Sequence, residues 1–262
     1  MVSMRDARVA QVRSSSELQG IPLTLDPEGF GTGVDARLLT SDSLKCDVDE
    51  GSEVFIGADV RLQGRNNITV IGKDNVVLIG RGTRLIDCAI TLRGNNCTFL
   101  MAEGCRMGKS VRFKVVGDGS AIVLGASTTI ESGMFIAMNG SSIAIGEDCM
   151  FSNHVTIRTS DGHGMWDLET GAQISMPAPV VIGHHVWLGN SSRVSKGVRI
   201  GDGAIVGQMG MVTQDIDPKT VNVGIPTKSI RTGISWSRTL SFKDVPDSIK
   251  TGTPWRGPQA KR

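Results

Sequence analysis

Apolar side chains recur along the second half of the chain with a period of six residues. From position 182 onward a large aliphatic residue occupies every sixth position without a slip, at Ile182, Leu188, Val194, Ile200, Val206 and Val212. A small or β-branched residue stands four places after each of the first five, at Val186, Ser192, Val198, Ala204 and Gly210. Strands of a β-sandwich recur at irregular spacings of about 8–12 residues. A strict period of six therefore favours a different all-β architecture.

Weaker copies of the same frame occur upstream. They place apolar residues at Leu124, Ile130, Ile136, Ile145, Phe151 and Ile157, and more faintly at Ile56, Leu62, Ile71 and Ile79. A hexapeptide with one large and one small inward residue forms a short flat strand, and three such strands close a triangular coil. Coils stacked at strand spacing pair every backbone group with the coil above or below. The pattern predicts an all-β parallel β-helix, a prism whose narrow interior needs no aromatic residue.

The frame divides the chain into three parts. Residues 46–231 form the predicted β-helix domain. Residues 1–45 show no clear period and are predicted to be an irregular N-terminal extension or cap, since a solenoid must cover its terminal coil. Residues 232–262 form a C-terminal extension, and residues 160–179 interrupt the frame as a polar loop that protrudes from the prism. Loops on a rigid scaffold commonly carry chemistry.

Composition narrows the functional classes. Aromatic residues make up 4% of the chain, whereas glycine contributes 33 of 262 residues, which suits many tight corners better than a conventional core. The formal net charge is +2, so no strong preference for a polyanion such as nucleic acid is expected. Five cysteines without a CxxC pair argue against a disulfide framework or zinc knuckle. No signal peptide or membrane-spanning run is evident, which predicts a cytoplasmic protein without membrane insertion.

The interrupting loop and the coils after it carry recognisable motifs. The loop contains Ser160-Asp161-Gly162-His163, and the coils contain the segments IGHHVWLG (182–189), GVRIGDGAIVG (197–207), VTQDI (212–216) and GIPTKSIR (224–231). Over about residues 120–231 the chain resembles the hexapeptide-repeat acyltransferases, most closely the sugar and capsular polysaccharide O-acetyltransferases, including the polysialic acid and galactoside groups. The resemblance implies a left-handed β-helix and acetyl transfer from acetyl-CoA to a sugar hydroxyl.

His163 matches the loop histidine that serves as the general base in these enzymes. An imidazole near neutral pH can take the proton of a hydroxyl as that oxygen attacks the thioester. Asp161 could orient the imidazole or cap a turn. Trp187 could stack on the sugar or on the acyl donor, or simply cover the prism surface, and Trp166 is a weaker candidate for acceptor contact. His154, His184 and His185 are interpreted as structural or surface residues.

The resemblance also implies a donor site along the late coils. Asn190, Gln208 and Thr213 correspond to positions beside the pantetheine arm, and Lys228 and Arg231 correspond to basic residues near the nucleotide phosphates. Ammonium and guanidinium groups suit phosphate oxygens. Relatives are homotrimers with active sites between subunits, so the expected partners are a sugar or polysaccharide acceptor and two further copies of the chain.

Three alternatives remain open at this point. The acceptor could be a nucleotide-sugar amine, serine or an antibiotic hydroxyl, because all of these reactions use the same donor coils. A zinc enzyme on the same prism would need three histidines, but those at 154, 163, 184 and 185 lack the required spacing, so no metal is expected. A non-catalytic scaffold would have no need of the His163 loop.

Overall fold

The computed structural model describes residues 4–14, 23, 25–31 and 41–256. The predicted N-terminal extension therefore lies partly outside the described residues, as does the end of the C-terminal extension. Helix α1 spans Met4–Ser14, a short 3-10 helix spans Pro27–Phe30, another spans Phe242–Asp244, and helix α2 spans Asp247–Thr251. No helix in these ranges has the length and apolarity needed to cross a bilayer.

The remaining elements are short strands. They are β1 (Leu44–Val48), β2 (Glu53–Ile56), β3 (Arg61–Gln63), β4 (Asn66–Ile71), β5 (Val76–Ile79), β6 (Arg84–Ile86), β7 (Ala89–Arg93), β8 (Thr98–Met101), β9 (Arg106–Met107), β10 (Val111–Val116), β11 (Ala121–Leu124), β12 (Thr129–Ile130), β13 (Gly133–Met138), β14 (Ser142–Ile145), β15 (Met150–Phe151), β16 (Val155–Arg158), β17 (Val180–Ile182), β18 (Trp187–Leu188), β19 (Arg193–Val194), β20 (Arg199–Ile200), β21 (Ile205–Val206), β22 (Met211–Val212), β23 (Thr220–Gly224) and β24 (Thr227–Thr232).

Every third strand stacks on its predecessor in parallel, which gives the three faces of a left-handed β-helix. Sheet I runs β1-β4-β7-β10-β13-β16-β19-β22. Sheet II runs β2-β5-β8-β11-β14-β17-β20, and sheet III runs β24-β23-β21-β18-β15-β12-β9-β6-β3. Among the described strands only β24 pairs antiparallel, on β23. The predicted fold class is confirmed.

The coils differ in length between the earlier and later parts of the prism. In the later part Trp187 pairs with Ile205, so one coil consists of three hexapeptides, as the sequence pattern predicts. In the earlier part Arg84 pairs with Arg106 and Arg106 with Thr129, so each of those coils is longer than three hexapeptides. The residues from 182 to 212 that carry the strict frame are buried in one continuous interior cluster. The larger coils explain why the frame is faint before the loop.

The larger coils also admit aromatic side chains. Phe99, Phe113, Phe135 and Phe151 are fully buried, and consecutive ring centroids lie 4.9, 5.1 and 6.1 Å apart. Offset and tilted rings at these separations attract one another beyond the gain from burial. The expectation of an interior without aromatic residues is therefore wrong for this half of the prism, where the longer strands enclose more volume.

The upstream frame is also wrong at two positions, where the residue that it assigns to the interior points outward. Ile136 lies between Phe135 and Ala137, which both belong to the interior cluster, so alternation along β13 turns Ile136 outward. Ile71 ends β4 and is 45% exposed, while Ile68 and Val70 fill the interior. A period of six cannot keep its phase through coils whose length is not a multiple of six.

A second apolar cluster covers the outer surface of sheet II. Val9 and Val12 of α1 and Phe30 of the 3-10 helix pack on outward side chains such as Leu78 and Leu100. Trp255 from the other end of the chain packs against the same cluster. Parts of both extensions thus pack on the outer face of sheet II.

Candidate active site

The loop that carries His163 leaves the prism between β16 of sheet I and β17 of sheet II. It emerges at the corner these sheets share, which lies opposite sheet III in a triangular cross-section. Trp187 lies on β18 of sheet III. The topology therefore places the loop and Trp187 on opposite sides of one subunit, although only one strand separates them along the chain.

The base of the loop is tied to the coil that follows it. Nζ of Lys196 donates a hydrogen bond to Oδ2 of Asp161 at 2.5 Å, and the hydroxyl of Ser175 donates to the same oxygen. Lys196 also donates to the Ser175 hydroxyl. The hydrogen bond from Lys196, reinforced by Ser175, lowers the pKa of Asp161 below its usual value. Both ends of the loop are thus joined through one charged group.

His163 is exposed and lies two residues after Asp161. Two residues of extended chain span about 7 Å at most, so its Cα stays close to the anchored carboxylate. Beyond it the loop folds back in a narrow hairpin in which Trp166 bridges Gln173. The Trp166 ring covers Gly164, where an added Cβ would lie 2.8 Å from the indole Nε1. The imidazole therefore sits on a braced segment and faces solvent.

Trp187 stands at the upper end of a groove on the outer surface of sheet III. The side chain is 37% exposed. The groove encloses about 580 Å³ and is also lined by Thr129, Met150, Ser152 and Arg238. A surface indole beside polar groups offers an apolar face for a sugar ring and a donor for its hydroxyls.

A column of arginines continues this groove downward. Arg61, Arg84 and Arg106 are successive Cα partners along sheet III, and their side chains are exposed. Arg84 and Arg106 line the groove together with Glu131. The net charge of +2 therefore conceals a local basic stripe. In the sequence these arginines stand one coil length apart, a spacing that becomes meaningful only when the coil length is known.

Two of the predicted donor residues lie together. Asn190 and Gln208 are exposed at the corner between sheets III and I, one coil apart, and the backbone N–H of Met209 donates to the carbonyl of Asn190 at 2.7 Å. Gly189 permits this close stacking, since an added Cβ would lie 2.7 Å from the backbone nitrogen of Gln208. Thr213 directly follows β22 of sheet I.

Lys228 and Arg231 lie on β24, the antiparallel strand at the edge of sheet III. They pair with Val223 and Val221 of β23, and both side chains are exposed. Thr227, which precedes Lys228, approaches Gly210 in the coil that carries Gln208. Lys228 thus belongs to the same end of the prism as Asn190 and Gln208.

The other chemically versatile side chains have structural surroundings. His185 is buried and bonded to Asp148 and to the carbonyl of Trp236, and Nδ1 of His184 accepts from the N–H of Glu147. All five cysteines are free, and burial raises the pKa of the Cys88, Cys105 and Cys149 thiols to about 12. Among the described residues no group of three His, Cys, Asp or Glu side chains is arranged to hold a metal ion.

The chain is similar in sequence to proteins of known function. The chain is 34% identical over 137 residues to a polysialic acid O-acetyltransferase of Neisseria meningitidis and 30% identical over 139 residues to one of Escherichia coli O1:K1. These matches cover 52% and 51% of the chain but 62% and 45% of the relatives, so the chain spans only about half the length of the curated relatives it matches.

The fold comparison covers more of the molecule. The crystal structure of the polysialic acid O-acetyltransferase OatWY superposes with a TM-score of 0.71 at 28% identity, over 76% of this chain and 93% of that one. No protein-family model matches the chain. The stacked coils, the interrupting loop and the similarity to these proteins in both sequence and fold lead to one conclusion. The chain has the left-handed β-helix fold of these acetyltransferases and resembles them in sequence over about half of its length.

Proposed function

We propose that the protein transfers an acetyl group from acetyl-CoA to a hydroxyl of a sugar or polysaccharide, with His163 as general base. The observation that carries the proposal is the anchored loop. His163 is exposed within two residues of the Asp161–Lys196 ion pair and lies in the motif that the chain shares with sugar O-acetyltransferases. The names of the relatives support a sugar acceptor.

The chemistry follows from an imidazole placed beside a hydroxyl and a thioester. The unprotonated ring nitrogen of His163 takes the hydroxyl proton while the oxygen attacks the acetyl carbonyl. The tetrahedral oxyanion then collapses, the C–S bond breaks, and the coenzyme A thiolate recovers the proton from the imidazolium. Asp161 acts as a positioning residue, because its carboxylate is already bound to Lys196 and Ser175.

The donor is proposed to lie at the corner between sheets III and I. Asn190 and Gln208 present exposed amide side chains one coil apart, which can pair with the amides of a pantetheine arm. Lys228 and Arg231 add cations on β24 for the phosphates. Thr213, which directly follows β22, is proposed as a further contact of the donor.

The acceptor is proposed to lie along the outer groove of sheet III. Trp187 supplies a stacking surface at its upper end, and Arg84 and Arg106 supply cations below it. This arrangement suits an acidic glycan whose carboxylates pair with guanidinium groups. Polymers such as capsular polysaccharide, O-antigen or sialic-acid chains contain several sugar units in a row, and the column of arginines extends over several coils.

The complete site is proposed to form between subunits of a homotrimer. Within one subunit the loop and Trp187 lie on opposite sides of the prism. The loop also exposes Met165, Leu168 and Ile174, an apolar surface that a neighbouring subunit would cover. Co-expression of His163→Ala with Trp187→Ala subunits tests this arrangement. Restored activity in mixed trimers supports a shared site, whereas two defects that do not complement place both residues in one subunit.

The reaction itself is tested by product analysis. Purified protein is incubated with acetyl-CoA and a panel of acidic, neutral and amino glycans, and thiol release is followed for each. The proposal predicts release that depends on the glycan and a product acetyl group that mild alkali removes as an ester. An alkali-stable amide would reassign the acceptor to an amine, and no release with any acceptor would contradict an acetyltransferase.

A further inference from the structure

The chain returns to the prism after the shared motifs end at Arg231. Trp236 and Arg238, here named the C-terminal clip, lie at the corner between sheets II and III, beside the start of β18. Both residues lie beyond the last motif, GIPTKSIR (224–231). Trp236 is nevertheless almost fully buried, which shows that this part of the tail is built into the surface of the prism.

Trp236 is held by His185 in three ways. The two rings stack with centroids 3.9 Å apart and planes within 6°. The indole N–H donates to the carbonyl of His185 at 2.8 Å, and Nε2 of His185 lies 2.8 Å from the carbonyl oxygen of Trp236. His185 occupies a left-handed corner of its coil, with φ of 54°, which turns its ring toward the tail.

Arg238 is the second anchor, and it shares a carboxylate with His185. Oδ1 of Asp148 accepts from Nε of Arg238 at 3.0 Å, while Oδ2 lies 2.7 Å from Nδ1 of His185. Arg238 also donates to the hydroxyl of Thr129 at 2.8 Å and to the carbonyl of Cys149 at 3.0 Å. Each guanidinium nitrogen is therefore committed to the prism, so Arg238 fastens the clip and does not offer a free cation.

The clip meets the candidate acceptor groove at Trp187. The ring centroids of Trp236 and Trp187 lie 6.1 Å apart, with the ring planes tilted by 54°. Arg238 forms part of the groove wall. A partly exposed indole on a two-residue strand can adopt several rotamers, and a neighbouring ring at this distance restricts them. The contact thus links the tail to the indole of the groove.

We infer that Trp236 is a positioning residue that fixes the Trp187 indole for the acceptor sugar, and that the Asp148–Arg238 pair holds it in place. The inference rests on the proposed function, in which Trp187 contacts the acceptor. It assigns the C-terminal extension to acceptor recognition, whereas the donor corner at Asn190 and Gln208 is built without it. Loss of the clip should therefore weaken binding of the acceptor and leave binding of acetyl-CoA unchanged.

The test compares Trp236→Ala with Leu240→Ala, a fully exposed residue of the same tail. Two readouts are taken, the KM for each substrate and the far-ultraviolet circular dichroism of the coupled Trp187 and Trp236 indoles without substrate. The inference predicts that Trp236→Ala loses the coupled signal and raises the acceptor KM roughly three- to tenfold, with an unchanged KM for acetyl-CoA. Leu240→Ala should match the parent protein in both.

A second variant covers the case in which Trp236→Ala does not fold. Arg238→Lys removes the planar fork that binds Asp148, Thr129 and Cys149 but keeps the charge, and it should produce the same changes more weakly. An active parent with an unchanged acceptor KM in both folded variants would overturn the positioning role. A parent that shows the coupled signal but transfers acetyl to no acceptor would instead overturn the proposed function, and with it this role.

Discussion

Lys196 lies 2.5 Å from Asp161, measured from Nζ to Oδ2, and this ion pair fastens the His163 loop to the next coil. The pair is partly exposed, so its contribution to global stability is small. Its consequence is local, because it fixes the chain two residues before the proposed base. The loop can therefore protrude from the prism while the proposed base keeps a defined position.

Removal of this anchor should reduce turnover more than stability. We expect Lys196→Ala to lower kcat roughly ten- to a hundredfold, since misplacement of a catalytic group by about 1 Å has effects of that size. The melting temperature should change little. Lys219→Ala, a lysine in another corner of the late coils, is the control for loss of charge. An unchanged kcat in folded Lys196→Ala would show that the loop does not depend on this contact.

The same anchor gives a pH dependence with a definite sign. The pKa of Asp161 is lowered by the hydrogen bond from Lys196, so the ion pair stabilises the docked loop above the unfolded pKa of about 3.9. That stabilisation disappears as the pH falls through the lower folded-state pKa. Pepsin cleavage near Trp166 and Leu168, normalised to the unfolded chain, should therefore accelerate below about pH 4. Asp161→Asn should show no such step.

The basic stripe predicts a selective effect on the acceptor. Arg106→Ala should raise the KM for an acidic glycan roughly two- to tenfold and weaken its salt dependence, with no effect on the KM for acetyl-CoA. Arg61 occupies the same column two coils below but does not line the groove, so Arg61→Ala is a matched control. Equal effects of the two substitutions would indicate general electrostatic attraction in place of a binding groove.

The phenylalanine column predicts where the stability of the larger coils resides. Phe135 stacks between Phe113 and Phe151 and is fully buried. Phe135→Ala should lower the free energy of unfolding by about 3–5 kcal/mol, the usual cost of a large cavity in a core. Phe242→Ala, an exposed phenylalanine of the tail, should change it by less than about 0.5 kcal/mol. Denaturant titration of both variants provides the comparison.

The cysteine thiols should be unreactive in the native protein. Burial raises the pKa of Cys46 to about 11 and that of Cys88, Cys105 and Cys149 to about 12, so almost no thiolate exists at neutral pH. An aromatic disulfide reagent should detect no rapidly reacting thiol in the native protein and all five thiols after unfolding. Rapid reaction of the native protein would show that the coils open. The unreactive thiols leave coenzyme A release readable by the same reagent.

Sequence reasoning reached the fold because the coils of three hexapeptides repeat their inward residues in strict phase from Ile182 to Val212. It failed at Ile71 and Ile136, where longer coils break that phase, and it did not foresee the interior phenylalanines. The loop and His163 could be found because an interruption is visible in a regular frame.

Other parts of the site depend on contacts between distant residues. The Arg61, Arg84 and Arg106 column appears only when the coil length is known. The clip joins Trp236 to His185, 51 residues apart, and Arg238 to Asp148, 90 residues apart. No local pattern marks such pairs, so only the stacked structure reveals them.

The central claim is that His163 removes the proton from the acceptor hydroxyl, and it is tested most directly by thiol release from acetyl-CoA in His163→Ala beside His154→Ala. Both histidines are exposed, but His154 lies at a coil corner away from the loop. With the preferred glycan, we expect folded His163→Ala to lose a hundredfold or more of kcat and His154→Ala to retain parental turnover. Turnover in His163→Ala within a few fold of the parent would contradict the proposed role of His163.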